Sequence, residues 1–167
     1  MSNTAYAYDP VGNLTNVQYA TTHSVAFTYD AMNRLTNMVD GVGTTVYAYN
    51  SAGQLYTEDG PFADDTVTNI YLNHLRVGLG LRQTTGFWTN GFEYDAAKRL
   101  TNVTSPAGAF GYAYDAVRLD FVTNLSLPNG SYVTNTFDPV ARLTGTSLIT
   151  SGGSTLDSAS YIFLWFS

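Results

Sequence analysis

The run Phe92-Glu93-Tyr94-Asp95-Ala96-Ala97-Lys98-Arg99-Leu100-Thr101-Asn102-Val103 decides how the whole chain folds, because most of it recurs elsewhere in the same order. Phe92 and Tyr94 stand at i and i+2, so an extended backbone puts both rings on one face. Trp88 carries that phase backward through Asn90, while Thr89, Gly91 and Glu93 point the other way. Asp95 then begins a turn. Its carboxylate can accept a backbone N–H two residues on, and the residue three places after it must tolerate a left-handed conformation. Leu100 and Val103 are three apart, which puts them on opposite faces of a regular strand and on one face only if a bulge intervenes. Strand, tight turn, strand is the unit, and the sequence alone leaves the bulge open.

The unit repeats as Tyr6, Tyr8, Asp9, Gly12, Asn13 and Leu14, as Phe27, Tyr29, Asp30, Asn33, Arg34 and Leu35, and as Tyr47, Tyr49, Asn50, Gly53, Gln54 and Leu55. Three further copies are degenerate. Tyr112, Tyr114, Asp115, Arg118 and Leu119 lack one turn residue, as do Ile70, Leu72, Asn73, Arg76 and Val77. Thr136, Phe137, Asp138, Ala141, Arg142 and Leu143 keep the spacing and lose the Tyr. The seven anchors Asp9, Asp30, Asn50, Asn73, Asp95, Asp115 and Asp138 fall 20 to 23 residues apart, which is the signature of a repeat array. Between hairpins lie turn-rich links such as Asp40-Gly41-Val42-Gly43, Ser105-Pro106-Ala107-Gly108 and Pro128-Asn129-Gly130-Ser131.

Composition agrees. Aromatic residues make up 14% of the chain and charged residues only 12%, and Lys98 is the one lysine. That mixture suits strands and turns and leaves almost no window for an amphipathic helix. The net charge of -6 and the dispersed arginines argue against nucleic acid or an anionic membrane as partner. Absence of cysteine excludes disulfides and thiolate metal sites. Met1 to Ala5 carries neither the basic nor the apolar segment of a signal peptide. The apolar run Tyr161 to Phe166 is far shorter than the roughly 20 residues of a membrane span and reads as a strand cut off by the chain end.

Tyr6 to Leu14, Phe27 to Leu35 and Phe92 to Leu100 resemble the YD repeat of the bacterial Rhs family, and the resemblance extends from Tyr6 to about Leu148, with a further half-motif at Tyr161 and Phe163. It implies a β-strand spiral that closes into a hollow shell, as in polymorphic toxins, insecticidal toxin complexes and related cell-surface proteins. In many family members the shell encloses a toxic carboxyl-terminal domain and ends in a self-cleaving core segment. Neither a core segment nor a toxin domain is recognisable here.

Other residues suggest chemistry but have plainer readings. Asp9-Pro10-Val11-Gly12 has the letters of the family's self-cleavage element, yet it occupies the ordinary repeat turn, where Pro and Gly suit the geometry. His23 and His74 lack the companions of a triad or a zinc site. Glu58, Asp59, Asp64 and Asp65 form an acidic loop that could hold Ca²⁺ but has no EF-hand spacing, so it reads as solvated. Aromatic rows could stack sugars, but a sheet needs the same rows for cross-strand packing. The sequons at Asn13, Asn102, Asn124 and Asn129 read as chance in an Asn- and Thr-rich chain. Arg34, Arg99 and Arg142 each follow an Asp by four positions, where an ion pair across the turn or to the next hairpin would be natural, and they read as register markers and not as a binding site.

The expectation is therefore an all-β tandem β-hairpin array with almost no helix, an open fragment of a YD-repeat spiral shell. Residues 1–150 are the repeats, and 151–167 are a partial terminal repeat or truncated strand. Both ends look like internal cuts, and the uncharged segment Ser160 to Ser167 is expected to be aggregation-prone. The function expected is structural: scaffolding or encapsulating a toxin or other cargo, without catalysis, cofactor or metal. The expected partners are the remaining repeats, core and cargo domain of a larger parent, with a secreted or cell-surface location. The alternative is an extracellular aromatic module that binds glycan or cell wall.

Overall fold

The computed structural model describes residues 3–20, 23–118 and 120–163. Every regular element among them is a strand. They are β1 (Ala5–Tyr8), β2 (Leu14–Gln18), β3 (Ser24–Tyr29), β4 (Leu35–Val39), β5 (Thr44–Tyr49), β6 (Leu55–Asp59), β7 (Val67–Leu72) and β8 (Leu75–Gln83). Then follow β9 (Gly86–Tyr94), β10 (Leu100–Ser105), β11 (Gly108–Tyr114), β12 (Val122–Ser126), β13 (Tyr132–Phe137), β14 (Leu143–Ile149) and β15 (Thr155–Ser160). The chain divides into two compact units, Met1–Thr89 and Asn90–Ser167. In the first, β1 through β8 form an antiparallel meander in chain order. In the second, the part of β9 from Asn90 onward and β10 through β15 do the same.

Five of the expected turns share one geometry. In the first, the Gly12 amide donates to the Asp9 carbonyl and the Asp9 amide to the Asn13 carbonyl, a three-residue loop that ends in a left-handed residue. Gly12 and Gly53 fill that left-handed place at φ 93° and 79°, and Asn33, Lys98 and Ala141 fill it at 59°, 65° and 72°. Gly and Asn adopt that conformation readily, whereas a Lys and an Ala are held in it by the rest of the turn.

Immediately after each turn the register slips by one residue. Tyr6 opposes Val17 and Tyr8 opposes Leu14, while Ala7 opposes Asn16, so Thr15 is an extra residue. The same bulge lies between Tyr29–Leu35 and Phe27–Met38, and between Tyr94–Leu100 and Phe92–Val103. The bulge returns the two apolar residues of Leu-Thr-Asn-Val to the aromatic face, which settles the question that spacing left open. Within each unit the paired aromatics lie on one face. Ala7, Asn16, Ala26, Thr28 and Asn37 occupy the other face of the first unit.

Two degenerate copies depart from their sequence alignment. At Asn73 the hairpin closes with two residues, Asn73 and His74, both left-handed at φ 51° and 65°, and Leu72 opposes Leu75. This is the turn type that matches strand twist with the shortest loop, so no residue is spare for the Asp-led pattern. Beyond Asp115 the loop is longer, not shorter: the Asp115 amide donates to the Phe121 carbonyl, and Val122 opposes Tyr114. Val122, Thr123, Asn124 and Leu125 thus take the places of Leu-Thr-Asn-Val. Leu119, the residue aligned there by sequence, lies outside the described residues.

Among the described residues of each unit a strand touches only its neighbours in sequence, and no second layer among them makes a core. Val17, at 8% exposure, is the one buried hydrophobic side chain among the described residues. Stability must therefore come from ladder hydrogen bonds, cross-strand pairs and contacts between successive turns. One set of such contacts runs along the link edge. A Cβ added to Gly43 would sit 2.4 Å from Pro61 Cβ, and one added to Gly108 would sit 2.5 Å from Pro128 Cβ. At these two places one link rests on the next through a glycine and a rigid proline ring. Beyond the last strand the Tyr161 amide donates to the Thr144 carbonyl and continues the pairing. Leu164 to Ser167 of the apolar terminal run lie outside the described residues.

Gly108→Ala should lower stability by about 1–3 kcal/mol, because the proline cannot move aside and the new side chain would also be strained at φ 115°. Denaturant unfolding of the purified chain checks this, with Gly86→Ala as the control: Gly86 is also left-handed but has open space around it.

Candidate functional site

The recurring feature of the turn edge is a staple that joins one hairpin to the next. It begins with the turn carboxylate. Asp30 Oδ1 accepts the amides of Met32 at 2.8 Å and Arg34 at 3.0 Å, which freezes the loop. Its second oxygen, Oδ2, accepts Arg34 Nε at 2.7 Å and lies 2.6 Å from Nη2. Asp95 holds Arg99 at the same two distances, and Asp138 accepts Arg142 Nε at 2.7 Å. A guanidinium held on its edge by a carboxylate has its flat face free to cover a ring.

That face meets the next hairpin. Arg34 Cζ lies 4.5 Å from the centroid of Tyr49, and Arg99 Cζ lies 4.5 Å from that of Tyr114. The covered tyrosine then closes the link by its hydroxyl. Tyr49 donates to the Leu35 carbonyl at 2.8 Å and Tyr114 to the Leu100 carbonyl at 2.7 Å. Leu35 and Leu100 sit at the bulge of the preceding hairpin, where an extra residue disturbs the ladder. Tyr29 makes the same bond to the Leu14 carbonyl at 2.8 Å. Its hairpin carries Asn13 in place of Arg, and Asn13 Nδ2 reaches Asn33 Oδ1 at 3.0 Å instead. Gln54 Nε2 likewise donates to the His74 carbonyl at 3.3 Å.

Arg142 extends the series. It covers Phe163, with Cζ 4.4 Å from the ring centroid, so the half-motif Tyr161–Phe163 stands where the next repeat's aromatic pair belongs. Phe163 takes the place of the stapling Tyr without its hydroxyl. The register markers foreseen at Arg34, Arg99 and Arg142 are thus also the lids of the aromatic row. The part that sequence reasoning missed is the Tyr hydroxyl bond to the Leu carbonyl. Its signal was present, since these positions prefer Tyr where Phe would bury as much apolar area.

The turn carboxylates are acidified by these bonds. The Asp30 pKa lies below the ordinary carboxyl value of 3.8, chiefly through the Arg34 side-chain hydrogen bond. Asp95 and Asp138 are lowered chiefly by the backbone amides of Arg99 and Arg142. At Asp9 partial desolvation opposes the shift, and the combined bonds from Asn13, Val11 and Gly12 outweigh it.

The acidic loop and the two histidines do not converge on a site. Asp64 pairs with Arg82 at 2.6 Å, Asp59 accepts the Thr66 hydroxyl, and Asp65 Oδ2 accepts the Phe62 amide at 2.9 Å. Among the described residues no three of His, Cys, Asp and Glu gather as they would for a metal ion. His74 sits in its two-residue turn, and the His23 carbonyl accepts the Tyr19 amide at 3.0 Å. Asp9 and Asp138 are turn anchors, with Oδ1 accepting the amides of Val11 and Asn13, and of Val140 and Arg142.

Tyr114→Phe should lower stability by about 0.5–1.5 kcal/mol, because the Leu100 carbonyl loses its partner while the ring remains. Tyr49→Phe should do the same, and chemical unfolding of both variants is the measurement. Lowered folded-state pKa values mean that the carboxylates stabilise the fold above pH 3.8 and lose that contribution as pH falls through the lowered values. Asp30→Asn, Asp95→Asn and Asp138→Asn together should leave the turns formed, as Asn50 Oδ1 already accepts the Ala52 and Gln54 amides at 3.0 Å. The variant should flatten the loss of stability below about pH 4 in an acid titration followed by circular dichroism.

The family model described as RHS Repeat matches residues 8–45. A search of curated proteins found no match. Among solved structures, the crystal structure of TcdB2-TccC3 superimposes with a TM-score of 0.76 at 14% identity, over 94% of this chain and 10% of that one. The Tc holotoxin pore of Photorhabdus luminescens, with a TccC3 variant, gives 0.77 at 16% identity, over 94% of this chain and 9% of that one. The chain thus spans about a tenth of the length of the structures it resembles. Residues 8–45, the part that matches the RHS Repeat model, hold the first turn, bulge and Tyr29 staple, and the same turn and staple recur in both units, so the chain is a tandem β-hairpin repeat array similar in fold to those structures.

Proposed function

We propose that this chain is a non-catalytic wall segment of an Rhs-like β-shell, which scaffolds or encloses a toxin or other cargo belonging to a larger protein. The observation that carries the reading is the staple between successive hairpins, which adds strands in chain order without requiring a core. Such an edge-to-edge arrangement grows into a sheet of any width, as a wall must. The likeness of fold to the TcdB2-TccC3 structure over 94% of the chain supports it. The partners would be further repeats, a core segment and the cargo, and the location would be secreted or at the cell surface.

The Arg lids count against a glycan role for the covered rings, since a sugar stacks on a bare ring face and Arg34 and Arg99 already occupy that of Tyr49 and Tyr114. A glycan array on the purified chain should show no saturable binding. In the intact parent, limited proteolysis should leave the cargo protected, and doubling Tyr49→Ala with Tyr114→Ala should expose it. Cargo cleaved equally fast in both forms would remove the wall reading.

A further inference from the structure

Two Asn-Gly pairs occur in the chain, Asn90-Gly91 and Asn129-Gly130. An asparagine before glycine can react with its own backbone, because the glycine has no Cβ to keep its nitrogen away from the side-chain carbonyl carbon. The fold treats the two pairs differently. Gly91 lies inside β9 opposite Thr104, and a Cβ added to it would sit 2.5 Å from Thr104 Oγ1, so the neighbouring strand blocks backbone rotation there. Asn129-Gly130 instead crowns the loop between β12 and β13, and both residues are exposed.

That loop presents the asparagine for reaction. The Gly130 amide donates to the Leu127 carbonyl at 3.0 Å and the Leu127 amide to the Ser131 carbonyl at 2.8 Å, which leaves Asn129 at the apex. Asn129 Oδ1 accepts the Ser131 amide at 3.0 Å. This bond holds the side chain against the backbone and would stabilise negative charge arriving on that oxygen. The Asn129 side-chain nitrogen has no hydrogen-bond partner among the described residues, so nothing retains it as a leaving group.

We propose that Asn129-Gly130 is a self-modifying site at which the folded chain ages and its link edge loosens. The Gly130 nitrogen, released from Leu127 by local opening and stripped of its proton by hydroxide, attacks Asn129 Cγ. The bond from Cγ to the side-chain nitrogen breaks, and that nitrogen takes a proton from water and leaves as ammonia. Water then opens the five-membered succinimide. Breaking its bond from the Gly130 nitrogen to Cγ gives aspartate. Breaking the bond to the former main-chain carbonyl carbon gives isoaspartate, whose backbone runs through Cβ and Cγ and is one atom longer. The place of the loop makes that difference matter. A Cβ added to Gly108 would sit 2.5 Å from Pro128 Cβ, and one added to Gly130 would sit 3.1 Å from Ser151 Cβ, so this link is packed between the ones before and after it. A longer backbone spoils that packing, whereas aspartate can still accept the Ser131 amide.

The inference is independent of the wall reading. The full chain is incubated at mildly alkaline pH, both folded and in urea, and each asparagine is followed by peptide mass spectrometry, with isoaspartate counted by enzymatic carboxyl methylation. In urea the two pairs should convert alike. In the folded chain Asn129 should convert at least about tenfold faster than Asn90, because a loop opens locally and a paired strand only with its ladder. Gly130→Ala should stop conversion at Asn129. Its new side chain is strained at φ 81°, so Pro128→Ala serves as a second variant: it keeps the Asn-Gly pair, loosens the link and should speed the reaction. The aged chain should unfold at a lower denaturant concentration than the fresh one, whereas Asn129→Asp should unfold with the fresh one. Asn129 as slow as Asn90 in the folded chain, or aged and fresh chains unfolding together, would overturn the proposal.

Discussion

Everything in this chain hangs on the tyrosine hydroxyl that donates to the carbonyl of a bulged leucine one hairpin back. A bulge is a local fault in a ladder, and a fault repeated in every hairpin would accumulate unless each were tied down. Tying it from the neighbouring hairpin turns the fault into the joint. The arginine lid reinforces the joint by covering the ring, and the aspartate that shapes the turn also aims the arginine. One carboxylate therefore fixes a loop with one oxygen and couples two hairpins with the other.

The absence of a second layer explains why such joints are needed. A soluble domain ordinarily gains most of its stability by burying apolar side chains between layers. Among the described residues of each unit, strands touch only their sequence neighbours, and Val17 is the one buried hydrophobic residue. A lone two-stranded hairpin is marginal in water, so stability must be shared between hairpins. The turn edge shares it through polar and cation–π contacts, and the link edge through glycine–proline contacts at Gly43 with Pro61 and Gly108 with Pro128. Stability then behaves as a sum over repeats and their interfaces, as in other repeat proteins. Variation at one place can be local for the same reason: Asn13 and Gln54 replace arginine with amide contacts without altering the turns that hold them.

The sequence by itself determined the all-β class, the hairpin unit, the seven turn anchors and the aromatic face. Each depends on interactions within about a dozen residues: alternation along a strand, an aspartate accepting amides two residues on, a left-handed fourth place. It also placed Arg34, Arg99 and Arg142 four residues after their aspartates, and left to the structure whether each pairs inside its turn, as it does, or with the next hairpin. Tertiary structure decided what crosses from one hairpin to the next. The bulge needed a partner strand to define it. The long loop after Asp115 could not be told from a deletion, since spacing alone does not reveal which residue resumes the ladder opposite Tyr114. Tyr49 lies fourteen residues from the carbonyl it bonds, and nothing local records that distance in space. Patterns of residues specify the repeat because backbone geometry is local; the staple became visible only when pairing brought one repeat against the next.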